Sequence, residues 1–174
     1  MMFKRETFSD PRTLALTGVM TAIIFILTRA VQIPTPISGY VHLGDAGVLF
    51  TGFAFGPVVG AIAGALGTAL ADLTSPYAQW APFTLLIHGL MGLAAGMIVR
   101  GEGNFWRLIL GCVVAGIILI VGYFVAGLIL AGMQAALEIA PNLAQIVAGS
   151  IVSVPLYYAV RRAYPPLIWH NTRD

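Results

Sequence analysis

Four ionisable residues, Arg29, Asp45, Asp72 and His88, lie in or beside long apolar runs. Ionisable groups at membrane depth are costly and are normally paired or functional. Uncharged polar residues recur around them at helical spacing. Thr84 and His88 are four apart, Tyr123, Gly127, Leu130 and Gln134 fall on one helical face, and Asn142, Gln145 and Gly149 share another. Tyr40, His42, Tyr77, Gln79 and Trp80 gather in short links between the runs. These types suit recognition rather than bond-breaking. Rings stack on a flat ligand, while hydroxyl, amide and imidazole groups hydrogen-bond its edge.

Each group also has a structural role open to it. His42 and Asp45 could fix a helix start, Asp72 could pair with Arg29, and Tyr77 and Trp80 could anchor at the membrane interface. Asn142 and Gln145 could bond between helices. Reactive constellations are missing. The only lysine is Lys4, so no phosphate-binding G-x-x-x-x-G-K-[ST] loop exists. No H-E-x-x-H, Cys-His cluster, G-x-S-x-G or basic-aromatic patch occurs. The chain is therefore expected not to be an enzyme, with no cofactor, no metal and no nucleic-acid partner.

The elements that must position these groups are membrane helices. Of 174 residues, 59% are hydrophobic and 9% charged, against about 25% charge in soluble domains. Mean hydropathy is +0.90. Prolines, glycines and polar links divide the apolar sequence into helices expected at about 12–32, 41–55, 58–73, 82–99, 106–133 and 141–160. The expected fold is an all-α membrane protein, a single domain over 1–174 built as a six-transmembrane-helix bundle. No small-x-small cleavage site follows the first apolar run, so it is expected to be retained.

Eight of the nine Lys and Arg residues lie in the N-terminal arm, around the link between helices four and five, or in the C-terminal tail. With six crossings these places share one side. The positive-inside rule makes that side, and both termini, cytoplasmic in the plasma membrane. The unusual polar groups then collect in the outer half. Small residues four apart, Gly18/Ala22, Gly60/Gly64 and Gly92/Gly96, suit close helix packing or docking of a partner.

A resemblance then emerges. Gly44-Asp45, Gly56-Pro57 followed by Gly60 and Gly64, Asp72, and Pro82-Phe83-Thr84 leading to Gly89, Gly92 and Gly96 occur in an order that resembles the S components of energy-coupling factor (ECF) vitamin transporters. The resemblance implies a substrate-binding subunit that captures a vitamin or precursor at the extracellular side. Its implied partners are a membrane coupling subunit and two cytoplasmic ATPases, with Gly18 and Ala22 facing the coupling subunit. The expected substrate contacts are Tyr40, Asp72, Tyr77, Gln79, Trp80, Thr84, His88, Tyr123, Gln134, Asn142 and Gln145. Asp72 would accept from ring amines, and Arg29 would hold a carboxylate or phosphate. The expected cargo is a heteroaromatic B vitamin or precursor, with pantothenate open. The competing readings are a stand-alone secondary transporter or channel, and a membrane enzyme or assembly factor.

Overall fold

The computed structural model describes residues 11–100 and 103–168. The basic residues Lys4, Arg5 and Arg173 lie outside them. The described chain is mostly helical: α1 (Pro11–Ala30), α2 (Gly44–Phe55), α3 (Pro57–Leu73), α4 (Ala81–Val99), α5 (Phe105–Ala131) and α6 (Ile139–Ala163). Three stretches are apolar and long enough to cross a membrane: Pro11–Ala30, Ala78–Val99 and Phe105–Ala163, the last containing both α5 and α6. The helices α2 and α3 are shorter, with 12 and 17 residues.

The helices are patterned for lipid. Along α5 the large side chains Leu110, Val113, Ile117 and Val121 point outward, while Gly111, Cys112, Ala115 and Gly116 are buried. This inverts the amphipathic pattern of a water-soluble helix. All twelve residues of α2 are buried, and α1, α3, α4 and α6 pack against it. A helix apolar on every side belongs at the centre of a bundle.

Glycine brings α2, α3 and α4 into backbone contact. A Cβ built on Gly92 would stand 2.1 Å from the Gly60 carbonyl oxygen, and one on Gly96 would stand 2.5 Å from Pro57 Cα. A Cβ on Gly60 would stand 2.7 Å from Gly52 Cα. Only residues without side chains fit this seam.

Two local outcomes differ from expectation. Helix two begins at Gly44 rather than near Val41, because Tyr40–Val41 (β2) pairs antiparallel with Ile33–Pro34 (β1). Helix five stops at Ala131 rather than near Met133. Gly132 takes φ 63°, a left-handed value that ends an α-helix, and Gly132–Glu138 winds as a tighter 3₁₀ segment. Pro155 sits within α6.

The two ends of the bundle differ. At one end, Arg12 donates to the Pro166 carbonyl (2.6 Å), Arg161 to that of Gly103 (3.0 Å) and Arg107 to that of Arg100 (2.9 Å). At the other end, the segment between β1 and β2 meets Trp80 and Glu138.

Candidate binding site

The β1–β2 ladder aims side chains by its period of two. Tyr40 and His42 fall on the same side, with ring centroids 5.3 Å apart. The turn between the strands is closed by Thr35 N–H donating to the Gly39 carbonyl (2.9 Å). Ser38, at φ 56°, turns its carbonyl to accept from Trp80 Nε1 (2.9 Å) and Gln79 Nε2 (3.2 Å). The turn thus lies over the start of α4. Beneath it is a cavity of about 330 Å³ including its mouth, lined by Gly39, Tyr40, His42, Asp72, Trp80, Thr84, Tyr123, Glu138 and Asn142.

Aromatic rings form the walls. Trp80 and Tyr123 meet edge-to-face at 5.8 Å, and Tyr77 packs on Tyr40 at 4.5 Å. Tyr123 Oη and Thr84 Oγ1 are paired at 2.8 Å. The Tyr40 hydroxyl donates to Asp72 Oδ1. Burial, and then the adjacent Asp72 carboxylate, push the Tyr40 phenol up, so it remains a donor. Asp72 Oδ2 is buried without a hydrogen-bond partner. Glu138, also buried, accepts from Ile37 N–H at 3.5 Å.

Behind the cavity is a closed polar network centred on Asp45. Asp45 Oδ1 lies 3.0 Å from His88 Nε2, and Oδ2 accepts from Gln145 Nε2 at 3.1 Å. Gln145 Oε1 in turn accepts from the His42 backbone N–H at 2.9 Å. His88 Nδ1 lies 3.2 Å from the Thr84 carbonyl, so both ring nitrogens face acceptors. His42 Nδ1 accepts from Gly44 N–H at 3.1 Å, which leaves Nε2 as its protonated nitrogen. One side chain of α2 is thereby tied to α4 and α6, and through Gln145 to the strand before α2. His42, Asp45 and His88 set three potential metal ligand atoms within 4.8 Å of one another. Two imidazoles and a carboxylate suit a divalent transition ion, but Asp45 Oδ1 and His88 Nε2 already face each other and His42 Nδ1 already accepts from Gly44 N–H.

The imidazole of His42 is held from its ordinary 6.5 down to about 4, chiefly by burial. Asp45 opposes this shift and His88 adds to it. An unfolded chain takes up a proton on His42 near pH 6.5, while the folded chain refuses it until about pH 4. Stability is therefore full above pH 6.5 and falls as pH drops through this window. We expect thermal unfolding in detergent to report a loss of about 2 kcal/mol from pH 7 to pH 5. His42→Asn retains an acceptor for Gly44 and should flatten that dependence. An unchanged slope would assign it to other groups.

Six of the expected contact residues line the cavity: Tyr40, Asp72, Trp80, Thr84, Tyr123 and Asn142. Tyr77 supports Tyr40 from behind, and Gln79 is an exposed rim residue holding Ser38. His88 and Gln145 belong to the network rather than the lining. Gln134 is exposed on the 3₁₀ segment, because the turn at Gly132 breaks the phase that would have placed it under Tyr123. The postulated Arg29–Asp72 pair is replaced: Arg29 reaches Gln32 Oε1 at 3.3 Å, and Asp72 takes the Tyr40 hydroxyl. Glu138 and His42 join the lining. The two-residue alternation of Tyr40 and His42, and an acid just before helix six, were the available signals.

A family model for the ECF-type riboflavin transporter S component matches residues 9–162. The chain belongs to this S-component family. A protein of Pyrococcus woesei described as an uncharacterized protein in a gap 3' region is 36% identical over 147 residues, covering 83% of this chain and 99% of its own. The thiamine precursor transporter HmpT of Lactococcus lactis subsp. cremoris is 29% identical over 154 residues, 87% of this chain and 89% of its own. The fold of this S component also matches solved structures. The S component of a bacterial ECF transporter superposes with TM-score 0.72 at 22% identity, over 87% of this chain and 96% of that one. FolT bound with folic acid gives 0.70 at 21%, over 89% and 95%. ECF S components are substrate-binding transporter subunits rather than enzymes, and the chain is accordingly a multi-pass membrane protein that binds a vitamin-type substrate.

Proposed function

We propose that this S component captures a vitamin or vitamin precursor at the extracellular face of the plasma membrane and passes it to an ATP-driven ECF complex. The observation that carries this reading is the aromatic, carboxylate-bearing cavity at the end of the bundle opposite Arg12, Arg107 and Arg161. Basic residues favour the cytoplasmic side, which supports a cavity that opens outside with both termini inside. All six helices then cross the bilayer. The shortest, α2, is screened by its neighbours and needs no lipid-facing length of its own. Tyr40, Asp72, Trp80, Thr84, Tyr123 and Asn142 contact the cargo, with Tyr77 and Gln79 supporting the rim and His88 and Gln145 the floor.

The energy comes from separate chains: a membrane coupling subunit and two cytoplasmic ATPases. Gly18 and Ala22 lie exposed on α1, and a Cβ on Gly18 would meet nothing within 4 Å. That flat strip suits a partner helix. Gly18→Leu is expected to reduce co-purification of the coupling subunit at least tenfold while ligand binding by the isolated chain is kept. Normal assembly of that variant would move the docking face elsewhere. The function as a whole is tested by uptake in vesicles. Transport should require the ATPases and ATP, and transport by this chain alone without ATP would refute the reading.

A further inference from the structure

The lining of the cavity is acidic. Asp72 and Glu138 line it at 2% and 5% exposure. No Lys or Arg is among the described lining residues. Arg29, expected from the sequence to receive an anionic group, is exposed and engaged with Gln32. Asp72 and Glu138 are also short of donors. A carboxylate can accept about four hydrogen bonds. Asp72 receives the Tyr40 hydroxyl on Oδ1, whereas Oδ2 is buried and unpartnered. The Thr84 hydroxyl beside it is shared with Tyr123. Glu138 has one long bond from Ile37 N–H. A buried acceptor without a donor is unfavourable unless something else supplies one.

Resting on the S-component reading above, we infer that the cargo of this cavity is a small, neutral or cationic heteroaromatic ring whose amine edge donates to Asp72 Oδ2, and not a carboxylate or phosphate. The rings of Trp80, Tyr40 and Tyr123 hold the faces of the ligand, and the acids read its edge. Glu138 faces the same space and adds attraction for a protonated ring or a second N–H. An anion would meet two acids and no lining cation in a desolvated site.

The test is calorimetric binding to the purified full chain in detergent with three probes on one 2-methylpyrimidine ring: 4-amino-2-methylpyrimidine, its methyl isostere 2,4-dimethylpyrimidine, and 2-methylpyrimidine-4-carboxylate. The amine should bind at least tenfold more tightly than its methyl isostere, and the carboxylate should bind weakest. Asp72→Asn keeps an acceptor for Tyr40 but turns a donor toward the cavity. It should weaken the amine at least tenfold and narrow its advantage over the carboxylate. Glu138→Gln should weaken the amine severalfold and serves if the first variant does not fold. Equal binding of amine and methyl isostere, or preferred binding of the carboxylate, overturns the inference. If a wider panel of vitamins then yields an anionic ligand, the S-component reading stands and the amine inference alone falls. If nothing in either panel binds, both fall.

Discussion

Gly92→Ala is expected to destabilise the bundle by about 3 kcal/mol or more and to reduce recovery of folded protein from membranes. The added methyl would stand 2.1 Å from the Gly60 carbonyl oxygen and 2.4 Å from its carbonyl carbon. Both atoms belong to the backbone of α3, so no side-chain rotation relieves the overlap. Separating α3 from α4 would in turn loosen α2, since Gly52 and Gly60 both approach the Gly92 carbonyl oxygen. Gly18→Ala is the matched control. Its methyl enters open space, and alanine is the better helix former by about 1 kcal/mol. Thermal unfolding in one detergent should place the control at or above the parent and Gly92→Ala far below it. Equal midpoints would show that the helices slide freely and that the seam is not a packing constraint.

Truncating the Asp45 side chain should be similarly severe, and the nearly isosteric variant separates charge from hydrogen bonding. Asp45→Ala leaves His88 and Gln145 without their acceptor in a fully buried setting, an expected loss of about 3–5 kcal/mol. Asp45→Asn retains the volume. If its oxygen faces His88, its amide meets the Gln145 amide, donor against donor. Flipping Gln145 would relieve that contact, but it would set Nε2 against the His42 backbone N–H that Oε1 now accepts. One arrangement satisfies every group: the new oxygen accepts from Gln145, and the new NH2 donates to His88 Nε2 while His88 Nδ1–H donates to the Thr84 carbonyl, so Asp45→Asn should cost only about 1 kcal/mol. A loss from Asp45→Asn as large as that from Asp45→Ala would show that the carboxylate's charge, rather than the hydrogen-bond pattern, holds the network together. By the same logic, the first effect of His88→Ala is on stability, because that ring stands behind the cavity wall.

Much of the architecture was legible in the composition. Apolar runs broken by Gly-Pro and Pro-x-Pro punctuation mark helices, because a chain without charge cannot coat itself for water. The arginine distribution separates one end from the other. The ordered glycines from Gly44 to Gly96 carry the family resemblance, and their geometric meaning is now clear: several sit where two backbones touch.

The candidate site was only partly legible. Helical periodicity found Thr84, Tyr123 and Asn142, each on a helix whose phase holds. It misplaced Gln134, because one residue at positive φ cancels a phase assumed to continue. It did not assign His42 and Glu138 to the cavity, since a two-residue strand and a 3₁₀ turn follow other periods. It also paired Asp72 with Arg29, an attraction that opposite charge suggests, whereas the fold gives Asp72 to Tyr40.

By itself, the sequence determined that this protein lives in lipid and which groups were too costly to be idle. These follow from residue chemistry and local spacing alone. Only the tertiary structure decided their division of labour. Asp45, His88 and Gln145 satisfy one another, while Asp72 and Glu138 are left facing a cavity with acceptors to spare. Hydrogen-bond satisfaction is a property of three-dimensional neighbours, and partners such as Asp45 and Gln145, a hundred residues apart, leave no trace in local spacing.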